Sequence, residues 1–345
     1  MKYLKSIPIY ILLIFMIFGW SNELFSQEKS GGFAGSFSRM GFSPRGMAMG
    51  NAMTSVVQEG SYSYYNPAFA AIKSDLIQID AGTALLPFDR RLNMLHSHFQ
   101  LPPSAGLSLS VLHGSVGKID GRDLNGYHTE NLSTNEFQVI GNFGIRFSQS
   151  IWAGIGLKYN IARYHPKLPT SSGLGIDAGL LIHPFPKLRL GLNVQDLLAS
   201  YRFNTSDLYG TDSSNNQEFF PVRMVAGASY QINKIWLISL DIEHRRQSYE
   251  TLSVHDEQSQ SIDRSEKTSV SHFLRTGTSY QLHERFTLRA GAQINELGEG
   301  NDLQPAAGFS IHLPYDALSP SIDYSFLREP SGLSTMHVFA IRLNL

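Results

Sequence analysis

The side chains that could do chemistry are scattered along this sequence. His96 and His98 fall on one face of a predicted strand, as a pair of metal ligands would, but no third ligand accompanies them. Structural histidines explain the pair more simply. The sequence has no cysteine, no Gly-x-Ser-x-Gly elbow, no phosphate loop and no dinucleotide fingerprint. We therefore expect neither an enzyme nor a bound metal or cofactor.

The composition indicates finely interleaved polar and apolar residues. Among 345 residues, 28 are basic and 29 acidic, and charged residues make up only 17%. Aromatic residues reach 11%, yet the chain is not hydrophobic on average. The balanced charge gives no basic surface for a nucleic acid, so we expect no nucleic-acid partner.

The first 26 residues resemble a targeting segment. Lys2 and Lys5 precede an almost entirely apolar run from Ile7 to Trp20, and Ser26 provides a small residue for cleavage. This order is typical of a secretory signal peptide, which we expect at residues 1–26. The alternative is an uncleaved anchor helix, for which the apolar run is short.

Alternation of apolar and polar residues dominates the rest of the chain. In the stretch from Leu188 to Gln195, Leu188, Leu190, Leu192 and Val194 share one face, and Arg189, Gly191, Asn193 and Gln195 share the other. Such a period of two predicts an amphipathic β-strand. We count about fourteen predicted strands: 75–83, 91–100, 104–114, 134–147, 150–164, 172–183, 186–196, 219–232, 235–249, 269–283, 285–296, 303–314, 317–328 and 334–345.

Short and long links alternate between these strands. Tight turns such as Ser148-Gln149 and Asn233-Lys234 contrast with long polar links at 115–133, 197–218 and 250–268. This alternation predicts an outer-membrane barrel over residues 75–345, with short periplasmic turns, solvated external loops and an apolar face toward lipid. A secreted β-sandwich or a propeller is the competing architecture, but no propeller repeat of about 40–50 residues is visible.

The polar face of the predicted strands carries charges that would line the lumen. A charge facing lipid costs about 2–4 kcal/mol near the bilayer midplane, so consistent placement on one face supports the barrel. These charges either pair with one another and with a plug, or line a substrate path. The predicted lumen-facing residues are Arg146, Lys158, Asp177, Arg189, Arg223, Asp241, Glu243, Arg275, Arg289, Asp323 and Arg342.

Residues 27–74 do not alternate. They are rich in glycine and hold four of the nine methionines: Met40, Met47, Met49 and Met53. A compact non-strand segment before the first strand predicts a plug folded into the lumen. Clustered methionines give an adaptable apolar surface, either for packing on the wall or for contact with an acyl chain or an apolar peptide.

The runs RMGFSPRGMAMGNAM (39–53) and YYNPA (64–68) carry a family resemblance. They resemble the N-terminal signature of the PorV/PorQ family, and the Asn-Pro-Ala is shared more distantly with the fatty-acid transporter FadL. The matching positions are Arg45, Gly46, Met49, Gly50, Asn66, Pro67 and Ala68; the chain departs from the common pattern at 58–60, which reads Gln-Glu-Gly. The resemblance implies a fourteen-stranded outer-membrane barrel with an N-terminal plug. Because Asn before Pro favours a turn, we expect Asn66-Pro67 to direct the plug into the first strand.

The same resemblance implies a role at the outer membrane of a Gram-negative bacterium. PorV-like and PorQ-like members act in type IX secretion or in surface attachment of exported cargo, so secretion components or cargo signal domains are the expected partners. The alternative is a FadL-like channel that takes up hydrophobic small molecules. Neither function is enzymatic, and membrane lipid would be a partner in both.

Overall fold

The computed structural model describes residues 34–60, 62–73, 77–166, 168–204, 215–254, 262–295, 302–314, 319–329 and 334–344, and the predicted signal peptide lies outside these ranges. The helices are α1 (Ser43–Ala48) and two 3-10 helices, Ser36–Arg39 and Pro67–Ala71. None of the described helices is long and apolar enough to span a membrane. The strands are β1 (Gln78–Leu86), β2 (Arg90–Leu101), β3 (Ala105–Arg122), β4 (His128–Ser148), β5 (Ile151–Arg163), β6 (Ser171–Phe185), β7 (Leu188–Leu197), β8 (Ser200–Asn204), β9 (Asn215–Phe219), β10 (Val222–Asn233), β11 (Trp236–Val254), β12 (Ile262–His283), β13 (Phe286–Asn295), β14 (Asp302–His312), β15 (Ser321–Arg328) and β16 (Thr335–Asn344).

Fourteen strands form one closed antiparallel barrel, in the order β1-β16-β15-β14-β13-β12-β11-β10-β7-β6-β5-β4-β3-β2. The barrel closes where β1 pairs with β16, for example at Ala81 opposite Ile341. Strands β8 and β9 form a separate hairpin. The predicted fold class, an all-β transmembrane barrel of about fourteen strands, is confirmed.

The wall has the reverse of a soluble protein's polarity. On β5, Ile155 is 62% exposed and Leu157 57%, whereas Lys158 is 1% exposed and Asn160 is fully buried. Side chains alternate between the two faces of a strand, so the apolar residues point outward and the polar ones into the closed barrel. An apolar outer band and a polar inner face are typical of outer-membrane barrels.

Aromatic residues mark the edge of the outer band beside the short turns. Trp236 lies opposite Tyr280 in the β11–β12 pair, and both are partly exposed. Their rings meet edge to face, and the Trp236 Nε1 donates a hydrogen bond of 2.9 Å to Thr278 Oγ1. Such aromatic girdles lie at the membrane–water interface.

Two long links differ from the sequence expectation. Residues 115–133 and 250–268 were predicted as loops, which is wrong over most of their described length. The β3–β4 ladder continues to Arg122 opposite His128, and the β11–β12 ladder continues to Val254 opposite Ile262. Extended polar strands satisfy their own backbone groups through this pairing, so they need no apolar face.

The third long link holds the β8–β9 hairpin, which the sequence did not predict. Ser171 Oγ on β6 donates a hydrogen bond of 2.6 Å to the Arg202 carbonyl. The Ser200 carbonyl lies so close to Gly173 of β6 that a Cβ there would be 1.8 Å from the oxygen. Because Ser171 and Gly173 are on the inner side of β6, the hairpin folds into the barrel.

Candidate functional site

The N-terminal segment, defined here as residues 34–73, is packed against the inner face of the barrel. Helix α1 contacts β1 and β13 to β16, whereas the 3-10 helix Pro67–Ala71 contacts β2 to β6. The segment therefore touches strands on opposite sides of the wall. Its large apolar side chains are almost fully buried: Phe42, Met47, Met49, Met53, Val56, Tyr62 and Phe69.

Arg45 joins α1 to β15. Its Nε lies 3.0 Å from Asp323 Oδ2, and its Nη2 donates a hydrogen bond of 2.7 Å to Ser321 Oγ. Both members of the ion pair are buried. A buried charge is tolerated only when it is paired and hydrogen-bonded, so this arrangement fixes where α1 sits on the wall.

Glu59 makes a second attachment between the N-terminal segment and the barrel wall. Its Oε2 accepts a hydrogen bond of 2.7 Å from Arg289 Nε on β13, and its backbone carbonyl accepts one of 2.9 Å from Arg342 Nη2 on β16. Burial acts to raise the pKa of the Glu59 carboxyl, but the guanidiniums of Arg289 and Arg45 outweigh it, and the pKa lies below its ordinary value. Glu59 is therefore ionised at neutral pH, as its pairing requires.

Asn66 fixes the turn before the second 3-10 helix. Its Oδ1 accepts a hydrogen bond of 3.0 Å from the Ala68 N–H, so it caps that helix. Its Nδ2 donates to the Thr54 carbonyl at 2.9 Å and to the Leu180 carbonyl of β6 at 3.1 Å. Asn66 thus shapes the turn, ties two parts of the segment together and binds the wall. Pro67 occupies the first position of the helix, where its missing N–H costs nothing.

The glycines of the motif permit close approach. Gly50 has a φ of +60°, and a Cβ there would lie 2.7 Å from the Ala292 backbone nitrogen of β13. A Cβ on Gly46 would lie 2.4 Å from Tyr65 Oη. Met49 is fully buried and its backbone faces Gly277 and Gly291 of the wall. Main chain therefore packs directly on main chain here.

The eleven predicted lumen-facing charges are placed as follows. Arg189 is half-buried, and Arg146 is exposed at the turn end of β4. The remaining nine are buried: Lys158, Asp177, Arg223, Asp241, Glu243, Arg275, Arg289, Asp323 and Arg342.

The buried charges on β5, β6, β7 and β10 meet in one ion-pair network. Lys158 Nζ lies 2.8 Å from Asp177 and 2.7 Å from Asp196. Arg223 lies 2.9 Å from Asp196 in turn. The network brings together side chains that are distant in sequence and leaves none of these four charges without an opposite one.

A second cluster of charges lies on the strands β11 and β12. Glu243 accepts from both Arg245 and Arg275 at 2.6 Å. Asp241 accepts a hydrogen bond of 2.9 Å from the Thr54 N–H, which attaches the N-terminal segment to β11. The cavity that Arg39, Tyr64, Glu243 and their neighbours enclose measures only about 20 Å³, close to the space of one water.

Three charged residues of the interior were not predicted from the sequence: Glu59, Asp80 and Asp196. Asp80 accepts a hydrogen bond of 2.8 Å from Arg342, and its place on the polar face of β1 could have revealed it. Asp196 has a φ of 64° beside a register shift between β6 and β7. Both Gln195 and Asp196 are therefore buried, which breaks the period of two and hides Asp196 from the pattern.

The histidine pair is structural. His96 Nδ1 hydrogen-bonds with Ser110 Oγ at 2.8 Å, and His98 Nε2 with the Ala70 carbonyl at 2.9 Å. Both rings are fully buried on the inner face of β2. Within the described ranges, no group of three or more His, Cys, Asp or Glu side chains could hold a metal ion.

An aromatic cluster joins the β8–β9 hairpin to the segment. Tyr201 packs edge to face on Phe220 with ring centroids 5.0 Å apart, and Tyr164 and Phe203 complete the cluster. The Phe220 ring also lies against Gly35, where a Cβ would come within 2.2 Å of it. The hairpin and the segment therefore fill neighbouring parts of the interior.

Solved structures share this architecture. No family model matches the sequence, and no curated protein matches it. The Pseudomonas putida toluene transporter TodX is 14% identical, with a TM-score of 0.61 over 88% of this chain and 98% of that one. The monoaromatic hydrocarbon channel CymD is 12% identical, with a TM-score of 0.59 over 88% of this chain and 97% of that one. A Pseudomonas aeruginosa FadL homologue is 12% identical, with a TM-score of 0.56 over 88% of this chain and 98% of that one. The likeness shows that this chain has the barrel fold of FadL-like outer-membrane proteins.

Proposed function

We propose that the protein is an outer-membrane channel for hydrophobic small molecules, closed by its N-terminal segment. The observation that carries this proposal is an apolar sector of the inner wall. A water-filled porin would present polar side chains there. Apolar wall residues instead pack against the segment: Ala84, Leu92, Met94, Leu112, Ile140, Ala306, Leu327, Met336 and Val338.

The contacts of the segment suggest how passage is controlled. In the described part of the interior, the segment and the β8–β9 hairpin cover buried residues of the inner wall, so we infer that a solute needs one of them to move. Ion pairs and hydrogen bonds hold the segment, and its methionines can repack around an apolar guest. We infer that residues 27–74 act as a plug that shifts when a hydrophobic solute enters. The likeness to TodX and CymD supports the substrate class.

Uptake by intact cells tests the proposal. A deletion strain and the complemented strain are given labelled toluene and, separately, a labelled sugar. The complemented strain should accumulate toluene faster and the sugar at an unchanged rate. Equal toluene uptake at verified surface levels of the barrel would contradict the channel. The same cells test the expected location in the outer membrane and the removal of residues 1–26.

Type IX secretion or surface attachment of cargo is the second candidate. It depends on the PorV/PorQ-like motif, whose Arg45 and Asn66 make the wall contacts described above. The matching solved structures lend it no support, so it ranks below the channel. Purification of the native protein from a strain with that secretion system should recover secretion components or cargo signal domains. Recovery of neither would count against this candidate.

A further inference from the structure

Three metal-ligating side chains form a row across the outer face of the barrel. Pairing places Met224 of β10 opposite His244 of β11, and His244 opposite His272 of β12. The two imidazole rings have centroids 4.9 Å apart. Directly opposed side chains point to the same face, with Cβ atoms about 4.5–5.5 Å apart. The thioether and both rings therefore lie side by side on one surface patch of the outer face.

The patch lies at the far edge of the lipid-facing band. Outward residues of β11 run Trp236, Ile238, Leu240 and Ile242, all exposed and apolar, before His244. Eight residues at about 3.3 Å each, on a strand tilted by about 40°, put His244 about 20 Å above the Trp236 girdle. The outer apolar band of such barrels is about 25 Å tall. The next outward residue of β11, Arg246, is charged and exposed, so the apolar run ends at His244 and ions in the external water can reach the patch.

The rings of His244 and His272 contact each other, and neither makes a hydrogen bond or an ion pair within the described residues. The outward-facing His113 provides a contrast. Its Nδ1 hydrogen-bonds with Asn93 at 3.2 Å and its Nε2 with Asn135 at 3.1 Å. The nitrogens of the His244–His272 pair are thus free to bind a ligand that the chain itself does not supply.

We propose that Met224, His244 and His272 form a binding site for copper. Imidazole suits zinc, copper and nickel, but a thioether ligand selects copper, above all Cu(I). Arg246 faces outward two residues beyond His244, and its positive charge opposes a divalent ion more than a monovalent one. The site would leave coordination positions open to water. The site differs from the sequence expectation of no bound metal, and it is independent of the channel proposal.

Metal titration of the purified, tag-free protein in detergent tests the site. Cu(I) is titrated against a colorimetric chelator, and Zn(II) is titrated separately. We expect one Cu(I) per chain and tighter binding of Cu(I) than of Zn(II). His244→Phe or His272→Phe should weaken Cu(I) binding by about tenfold or more, since changes around a metal ligand already cost that much. Met224→Leu should weaken Cu(I) binding and leave Zn(II) binding unchanged.

The matched control is His113→Phe, which removes an outward histidine that is already hydrogen-bonded and should not change copper binding. Heat-modifiable gel migration shows that each variant is folded. Binding that survives both His244→Phe and His272→Phe would overturn the site. Equal affinity for Cu(I) and Zn(II), or no binding by the native protein, would overturn the copper assignment.

Discussion

The guanidinium of Arg45 in α1 and the carboxylate of Asp323 in β15 form a buried ion pair of 3.0 Å across 278 residues of sequence. Ser310 and Ser321 also hydrogen-bond this pair. The pair joins a short helix, too small to be stable alone, to the wall that surrounds it. It is therefore one of the contacts that hold the N-terminal segment against the wall.

Removal of one partner should release the segment. Arg45→Leu leaves Asp323 buried without its cation, a defect that costs about 3–5 kcal/mol. We expect higher conductance in planar bilayers and faster proteolysis of the segment, with the barrel still folded. The double variant Arg45→Leu, Asp323→Leu removes both charges and should recover most of the closure. Similar conductance for the single variant and the native protein would contradict this role.

A charge on the outer face should hinder assembly. Leu157 is 57% exposed in the middle of β5, so Leu157→Arg should destabilise the barrel by about 2–4 kcal/mol in a bilayer. The check is the fraction of protein with folded, heat-modifiable migration. Leu157→Met keeps the apolar character and serves as the control. Equal folded fractions would show that this face does not meet lipid.

Gly50→Ala should disturb the segment where main chain meets main chain. The residue has a left-handed backbone, and the new Cβ would press on the backbone of Ala292. We expect a cost of about 1–3 kcal/mol, visible as faster proteolysis of the segment. Gly141→Ala on β4 is the control, because a Cβ there meets nothing within 4 Å. Matching proteolysis rates for both variants would refute the close packing.

The closure should weaken in acid through Glu59. Its pKa in the folded protein lies below the ordinary value, so the Glu59–Arg289 pair contributes its full stability above the unfolded pKa of about 4.3. That stability is lost as the pH falls through the folded pKa, since the carboxyl becomes protonated. Conductance should rise over this range. Glu59→Gln should reduce the rise of conductance at low pH. An unchanged dependence of conductance on pH would show that other groups cause the rise.

Much of the barrel could be predicted because each strand carries its own signal. The period of two around Leu192 and Asn193, and the tight turn after Ser148, need only local sequence. The β8–β9 hairpin gave no such signal, since its short strands sit in a polar link and pack on Gly173. The extended ends of β3 and β12 were also missed, because paired polar strands have no apolar face to reveal them.

The candidate site was predictable in parts. The motif pointed to Arg45 and Asn66, and strand phase pointed to Asp323 and Arg289. The sequence does not show which wall residue pairs with which segment residue, because the pairing depends on the register of strands that are far apart in sequence. Glu59 lies outside any strand, so strand phase could not find it.

Arg342 joins the two ends of the barrel to the N-terminal segment. This side chain on the last strand binds Asp80 on the first strand and the Glu59 carbonyl of the segment, and it also hydrogen-bonds Tyr62. The seam between β1 and β16 is thus bound from inside by residues that come before all the strands in the sequence. One side chain therefore serves both the closure of the barrel and the seating of the segment, so a change at Arg342 should loosen both at once.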